Sequence, residues 1–179
     1  MSPRLGQLDP TRPPLRGLLR LPQHLYRAHL GWLLGHRFVQ LTTRGRKTGL
    51  PRAVVLEVLG RERETASWLV ASAWGARAQW LRNAEACPRV EVRVGHERFP
   101  ADLEHLPEDA AAAQLRAYAR DHSWAYRFFI GPLLLGRRPA GTVAEFDELA
   151  RTLPVLRLRP VRPSAREGAS AIQGATGPA

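Results

Sequence analysis

The chain has very little lysine and cysteine. Lys47 is the single lysine among 27 basic residues, and all the others are arginines. Cys87 is the single cysteine, which excludes an intrachain disulfide and favours a reducing, cytoplasmic compartment. Because Cys87 precedes Pro88 at a predicted helix end with no His or Cys cluster around it, the sequence favours a small buried apolar role over a reactive thiol.

Long apolar runs are also missing. No segment reaches the roughly 18 consecutive apolar residues that a membrane-spanning helix requires. The first 20 residues contain four arginines and no apolar core region, so no secretory signal peptide is expected. The six histidines are scattered without metal-ligand spacing, and each is predicted to be a surface or core residue. The sequence therefore predicts no metal site.

Acidic residues are scarce in the N-terminal third. Residues 1–52 hold ten basic residues against Asp9 alone, in a chain of 179 residues with a net charge of +11. The remainder is close to balanced, so the positive charge is concentrated in one region. Its partner could be an anionic cofactor, an anionic membrane surface or nucleic acid. Nucleic acid is not expected, because RNA-binding aromatic signatures and helix-turn-helix spacing are both missing.

A short basic turn stands out within this region. Two glycines, Gly45 and Gly49, enclose Arg46, Lys47 and Thr48. Glycines allow a tight turn and a close approach of the backbone to a ligand. Guanidinium, ammonium and hydroxyl groups converging on one small volume suit phosphate or carboxylate oxygens. The alternative is an ordinary exposed hairpin turn with a solvated basic tip.

The chain divides into three predicted parts. Residues 1–34 form a leader and a basic amphipathic helix over 13–34, which either packs on the domain or touches an anionic membrane. Residues 35–161 form the folded domain. Residues 162–179 are rich in Gly, Ala, Ser and Pro and are predicted to be disordered. The apolar segment 123–135 either belongs to the core or walls a hydrophobic pocket.

Six strands are predicted within the domain, with helices at their edges. Val90, Val92 and Val94 alternate strictly with charged residues, which is typical of a half-buried strand. The predicted strands cover residues 36–43, 52–59, 66–73, 89–94, 98–106 and 153–161, and the helices residues 76–86, 107–121 and 142–152. This order indicates an α+β, mainly β fold, an antiparallel barrel with flanking helices. Neither G-x-G-x-x-G nor G-x-x-x-x-G-K occurs where a dinucleotide or P-loop fold needs it.

Two sequence blocks resemble the deazaflavin-dependent nitroreductase family, also called the deazaflavin-dependent quinone reductases. The first block is Leu-Thr-Thr-Arg-Gly-Arg-Lys-Thr-Gly-Leu-Pro-Arg over residues 41–52. The second is Ala-Ser-Ala-Trp-Gly over residues 71–75, followed by Trp-Leu-Arg-Asn over residues 80–83 and then Pro88. The closing Leu-Pro-Val of residues 153–155 also agrees, so the resemblance runs from about residue 36 to 161.

The resemblance implies a split β-barrel, similar to FMN-binding split barrels, that binds coenzyme F-420. This coenzyme is a deazaflavin with a ribityl phosphate and a polyglutamate tail. By position in the motifs, Arg46, Lys47, Thr48 and Arg52 would hold the phosphate and the tail carboxylates. The remaining carried-over residues would lie near the ring or contact the cofactor: Val54, Val55, Leu56, Ser72, Ala73, Trp74, Gly75, Ala78 and Asn83.

The chain departs from the family pattern at several places. Members often have a proline where Val55 stands, a Gly-Gly pair with a basic or amide residue where Ala-Trp-Gly of residues 73–75 stands, and a longer segment before the tryptophan. The tyrosines that some members place over the substrate have no clear counterpart. Tyr118, Tyr126 and Trp124 are the candidates for that position.

The resemblance implies an oxidoreductase that transfers hydride from the reduced deazaflavin to a quinone, a nitro-aromatic compound or another electron-poor small molecule. No catalytic side chain is assigned. One alternative keeps the barrel but places FMN, haem or a fatty acid in it. A basic membrane-surface or nucleic-acid binder is the other alternative. Membrane association could coexist with the enzyme, and a homodimer is plausible for a split barrel.

Overall fold

The computed structural model describes residues 36–127, Leu135 and residues 138–161. The predicted helix over residues 13–34, most of the apolar segment after residue 127 and the tail over 162–179 lie outside these residues. The proposed division of the chain at residues 34 and 161 therefore stays a prediction.

Six antiparallel strands close into a barrel, as the sequence predicts. The order around the barrel is β1-β2-β3-β6-β5-β4, with β1 pairing both β2 and β4. The prediction of a mainly β antiparallel barrel is confirmed. The strands are β1 Phe38–Arg44, β2 Pro51–Glu62, β3 Ser67–Ala71, β4 Arg89–Val94, β5 Glu97–His105 and β6 Val155–Pro160.

The described residues include four complete helices. A short 3-10 turn, Gly75–Arg77, leads into α1 Gln79–Ala86; the others are α2 Glu108–Asp121, α3 Ser123–Ala125 and α4 Val143–Thr152. Within the described ranges, none of the helices combines the length and the apolar character needed to cross a bilayer. Proline at the start of α2 and Thr142 at the start of α4 agree with the predicted helix beginnings.

The barrel interior is filled by alternate residues of the strands. Val90, Val92 and Val94 of β4 are buried, whereas the charged residues between them face outward. Leu156 and Leu158 of β6 repeat this pattern and are fully buried. Burying each such side chain stabilises the fold by about 1.5–3 kcal/mol. Because side chains alternate with a period of two, this gain determines which face of each strand points inward.

A second apolar cluster lies outside the barrel, where α2 packs on α4. Its buried members include Leu115, Phe146 and Leu149. Gln114 of α2 donates a hydrogen bond from Nε2 to the Leu59 carbonyl of β2 at 2.8 Å. These helices therefore cover the barrel at a distance from the β1–β2 turn, and α1 is the helix that approaches the turn.

An ion pair on the barrel exterior predicts a pH effect on stability. Arg157 donates to the Glu62 carboxylate from Nε at 2.9 Å and from Nη2 at 2.6 Å. These bonds hold the pKa of Glu62 below its ordinary value of 4.5. The pair's contribution is therefore complete above the unfolded-state pKa and is lost as the pH falls through the folded-state pKa.

We expect Glu62→Gln to be less stable than the parent by up to about 1 kcal/mol at neutral pH, because the pair is only partly buried. The difference should vanish in strong acid, where the parent carboxyl is protonated too. Thermal unfolding of both proteins across the acid range measures this. A stability difference that does not change with pH would contradict the expectation.

Candidate functional site

A groove of about 810 Å³ opens between the β1–β2 turn, the first residues of β2 and the segment that leads into α1. A volume of this size is within the range of ligand-binding pockets. Its described lining residues are Gly45, Arg46, Lys47, Thr48, Arg52, Ala53, Val54, Trp74, Arg77, Ala78, Gln79, Trp80 and Asn83.

The β1–β2 turn forms one wall of the groove and is closed by its own backbone. Gly45 donates to the Leu50 carbonyl at 2.8 Å, and its own carbonyl accepts from Thr48 and Gly49. Gly49 has a φ of 67°, which favours glycine. A Cβ atom at Gly45 would lie 2.8 Å from Thr48 Oγ1, so the geometry of the turn favours glycine at both predicted positions.

Helix α1 forms the facing wall, and Arg46 joins the two walls. Gln79 and Asn83 are four residues apart and therefore share one face of α1. Arg46 Nη1 donates to Gln79 Oε1 at 3.0 Å and to Asn83 Oδ1 at 3.1 Å. The Arg46 backbone N–H also donates to Asn83 Oδ1 at 3.3 Å. Arg46 therefore holds the turn against the helix.

The remaining cations of the groove have no acidic partner in the described part of the chain. Among the described residues, none forms an ion pair with Lys47, Arg52 or Arg77, and none of the described lining residues is acidic. The first residues of α1 also line the groove, and the positive end of the helix dipole lies there. This concentration of uncompensated charge favours a bound anion with several oxygens.

The structure brings most of the predicted site residues together. The basic turn residues and Arg52, Val54, Trp74, Ala78 and Asn83 all line the groove. Asn83 is buried, and within the described part of the chain its Nδ2 atom has no hydrogen-bond partner. An amide N–H of Asn83 is therefore available to a ligand oxygen.

Five predicted residues do not line the groove: Val55, Leu56, Ser72, Ala73 and Gly75. Residues alternate across β2, so Val55 points away from the side on which Val54 lies, and Leu56 is buried in the barrel core. Ser72 is fully buried, and its Oγ donates to the Gly75 carbonyl at 2.8 Å. Ser72 and Gly75 therefore shape the turn that carries Trp74, and Ala73 is exposed beside it.

Sequence reasoning missed five residues that line the groove: Gly45, Ala53, Arg77, Gln79 and Trp80. Gln79 had a readable signal, because it lies four residues before Asn83 on the same helical face. Gly45 was predicted as part of the basic turn but was not assigned to the site. Arg77 reaches the groove only because the chain turns between β3 and α1, which local sequence does not show.

The three aromatic residues considered for a substrate lie elsewhere. Tyr118 is buried and its hydroxyl donates to Glu57 Oε1 at 2.7 Å. Burial and this carboxylate raise the pKa of Tyr118 far above its ordinary value of 10.0, so the phenol stays protonated. Tyr126 lines a separate cavity of about 400 Å³ beside Phe146, and Trp124 is exposed. None of the three is among the described lining residues of the groove.

Two solved structures resemble this chain at low sequence identity. An F420-H2 dependent reductase called FDR-A is 20% identical, with a TM-score of 0.48 over 70% of this chain and 96% of that chain. A pyridoxamine 5'-phosphate oxidase-related, FMN binding protein from Nostoc punctiforme is 18% identical, with a TM-score of 0.48 over 83% of this chain and 81% of that chain.

The sequence comparisons identify the family of the chain. No curated protein matches the sequence significantly. The family described as F420H(2)-dependent quinone reductase matches residues 18–129, which is more than half of the chain and includes every described lining residue of the groove. The chain therefore belongs to this family.

Proposed function

We propose that the protein is a reductase that binds the reduced deazaflavin coenzyme F-420 in the groove and passes hydride to an electron-poor small molecule. One observation carries the proposal: the groove holds Lys47, Arg52 and Arg77 with no acidic partner among the described residues. Such a donor set fits a ligand with a phosphate and several carboxylates. Family membership supports the deazaflavin as that ligand.

Each cation has a separate part in this proposal. Lys47 and Arg52 hold the phosphate and the nearest carboxylate of the tail, and Thr48 donates its hydroxyl. Arg77, on the opposite side of the groove, takes a further carboxylate. Arg46 is committed to α1 through its three hydrogen bonds, so its main role is to set the groove width. Asn83 offers one amide N–H to the bound molecule.

When bound, the coenzyme supplies hydride from a ring carbon that stands where a flavin has N5. The chain's contribution is to hold the ring and the acceptor in reacting distance and to exclude competing chemistry. Hydride adds to the acceptor and a proton follows, so that a quinone becomes a hydroquinone. None of the described lining residues carries a carboxylic acid, imidazole or phenol, so we assign the proton to water.

A quinone, a nitro-aromatic compound or a related electron-poor molecule is the proposed acceptor. Apolar side chains of Val54, Trp74 and Trp80 lie in the groove beside the cations. A neutral planar molecule matches such a surface, whereas the anionic tail matches the basic one. A groove that binds both a neutral acceptor and an anionic tail needs apolar and basic side chains together, and this groove has both.

A titration of the purified protein with oxidised coenzyme, followed by the coenzyme's fluorescence, tests the cofactor. FMN is titrated in parallel, because it has a phosphate but no polyglutamate tail. We expect tight binding of the deazaflavin, weaker binding of FMN, and affinity that rises with tail length. Tight FMN binding with weak deazaflavin binding would replace the proposal by a flavin protein. Binding of neither would remove the groove as a cofactor site.

A further inference from the structure

Trp74 is a large apolar residue on the groove that stays open to solvent. Its side chain is among the described lining residues, and 57% of the residue surface is exposed. Trp80, on the same groove, is buried at 8% exposure. An indole of this size usually buries most of its apolar surface, so its exposure at a groove suggests a contact that a ligand completes.

The backbone that carries Trp74 is fixed on both sides. Ser72 donates its backbone N–H to the Pro154 carbonyl at 2.9 Å, and Gly75 donates to the Ser72 carbonyl at 2.7 Å. Gly75 has a φ of 62°, and a Cβ atom there would lie 3.3 Å from the Thr152 carbonyl oxygen. Trp74 is therefore presented to the groove by a hydrogen-bonded turn in which Ser72 and Gly75 are buried.

We propose that Trp74 is a specificity-determining residue whose indole stacks on the flat ring of the electron acceptor. The inference rests on the proposed function. The cations lie where the anionic coenzyme is held, and the exposed indole meets the molecule that enters from solvent in each turnover. Offset stacking of two flat π-systems selects planar acceptors by area and shape. Larger ring systems gain more from it than a single ring.

Steady-state kinetics with a two-ring naphthoquinone and a one-ring benzoquinone test this role. In Trp74→Ala the KM for the naphthoquinone should rise about tenfold while kcat changes less than about twofold, because the variant loses both the stacking contact and the apolar area that the indole buries on the ring. The KM for benzoquinone should rise less. Trp74→Phe should recover most of the loss. Leu50→Ala is the matched control, since Leu50 is 56% exposed and is not among the described lining residues.

Equilibrium dialysis with β-naphthol, which the coenzyme cannot reduce, gives a readout without turnover. We expect about tenfold weaker β-naphthol binding in Trp74→Ala than in the parent, with or without oxidised coenzyme, and no change in Leu50→Ala. Unchanged β-naphthol binding and unchanged KM would overturn the inference. Weaker coenzyme binding with unchanged β-naphthol binding would also overturn it, by assigning Trp74 to the coenzyme ring. Failure of the parent to bind coenzyme would instead refute the proposed function, and dialysis without coenzyme still tests the stacking.

Discussion

Replacing Lys47 and Arg52 together by alanine is expected to weaken deazaflavin binding at least about 100-fold. Hydrogen bonds to charged groups contribute about 1.5–3 kcal/mol each, and about 1.4 kcal/mol corresponds to a tenfold change in affinity. Neither side chain has an acidic partner among the described residues, so removing them leaves no unpaired protein charge behind. The coenzyme titration measures the loss, and thermal unfolding should show an intact fold.

A charge-matched control separates local contacts from the general positive field. Arg44 ends β1 and Arg82 lies on α1; both are exposed, and neither is among the described lining residues of the groove. Arg44→Ala with Arg82→Ala removes the same charge and should change affinity by less than about threefold, because exposed charges are screened by salt. Equal losses of coenzyme affinity in the two double variants would show that Lys47 and Arg52 act only through the general positive potential of the protein. Unchanged affinity after removing Lys47 and Arg52 would refute their assignment.

Replacing Leu41 by alanine is expected to lower the free energy of unfolding by about 2–5 kcal/mol. Leu41 is fully buried in β1, between Val54 of β2 and Val92 of β4. Its loss leaves a cavity at the strand that leads into the basic turn. Denaturant unfolding measures the change, and saturating coenzyme should restore part of the stability by binding only the folded state.

Leu50→Ala provides the comparison for this second variant. The same side-chain atoms are removed, but Leu50 is 56% exposed at the turn. We expect a change within about 0.5 kcal/mol, as for most surface substitutions. Equal unfolding midpoints for Leu41→Ala and the parent would contradict the burial of the Leu41 side chain inside the barrel.

Much of the barrel could be predicted from local pattern. The alternation in Val90, Val92 and Val94 specifies both the strand and its buried face, because a period of two places every second side chain inward. The paired glycines at Gly45 and Gly49 specify the reversal between the first two strands. These signals depend only on neighbouring residues, so a single sequence carries them.

The site was harder to predict from the sequence, because its walls come from segments that lie far apart along the chain. Val54 lies on the groove and Val55 does not. Which of the two side chains faces the groove depends on the direction in which β2 leaves the turn. Arg46 looks equivalent to Lys47 in the sequence, yet the position of α1 commits it to Asn83. Arg77 enters the groove through the path of the chain between β3 and α1. Each of these facts requires tertiary placement that local composition does not encode.

Closure of the barrel limits how a second copy of the chain could associate. Since β1 pairs with β4 as well as β2, none of the six described strands presents a full row of free backbone N–H and C=O groups. Edge-to-edge pairing of intact barrels is thereby disfavoured. We expect a homodimer, which stays a prediction, to be held mainly by side chains on the outer surface, so that surface substitutions would dissociate it without unfolding either barrel.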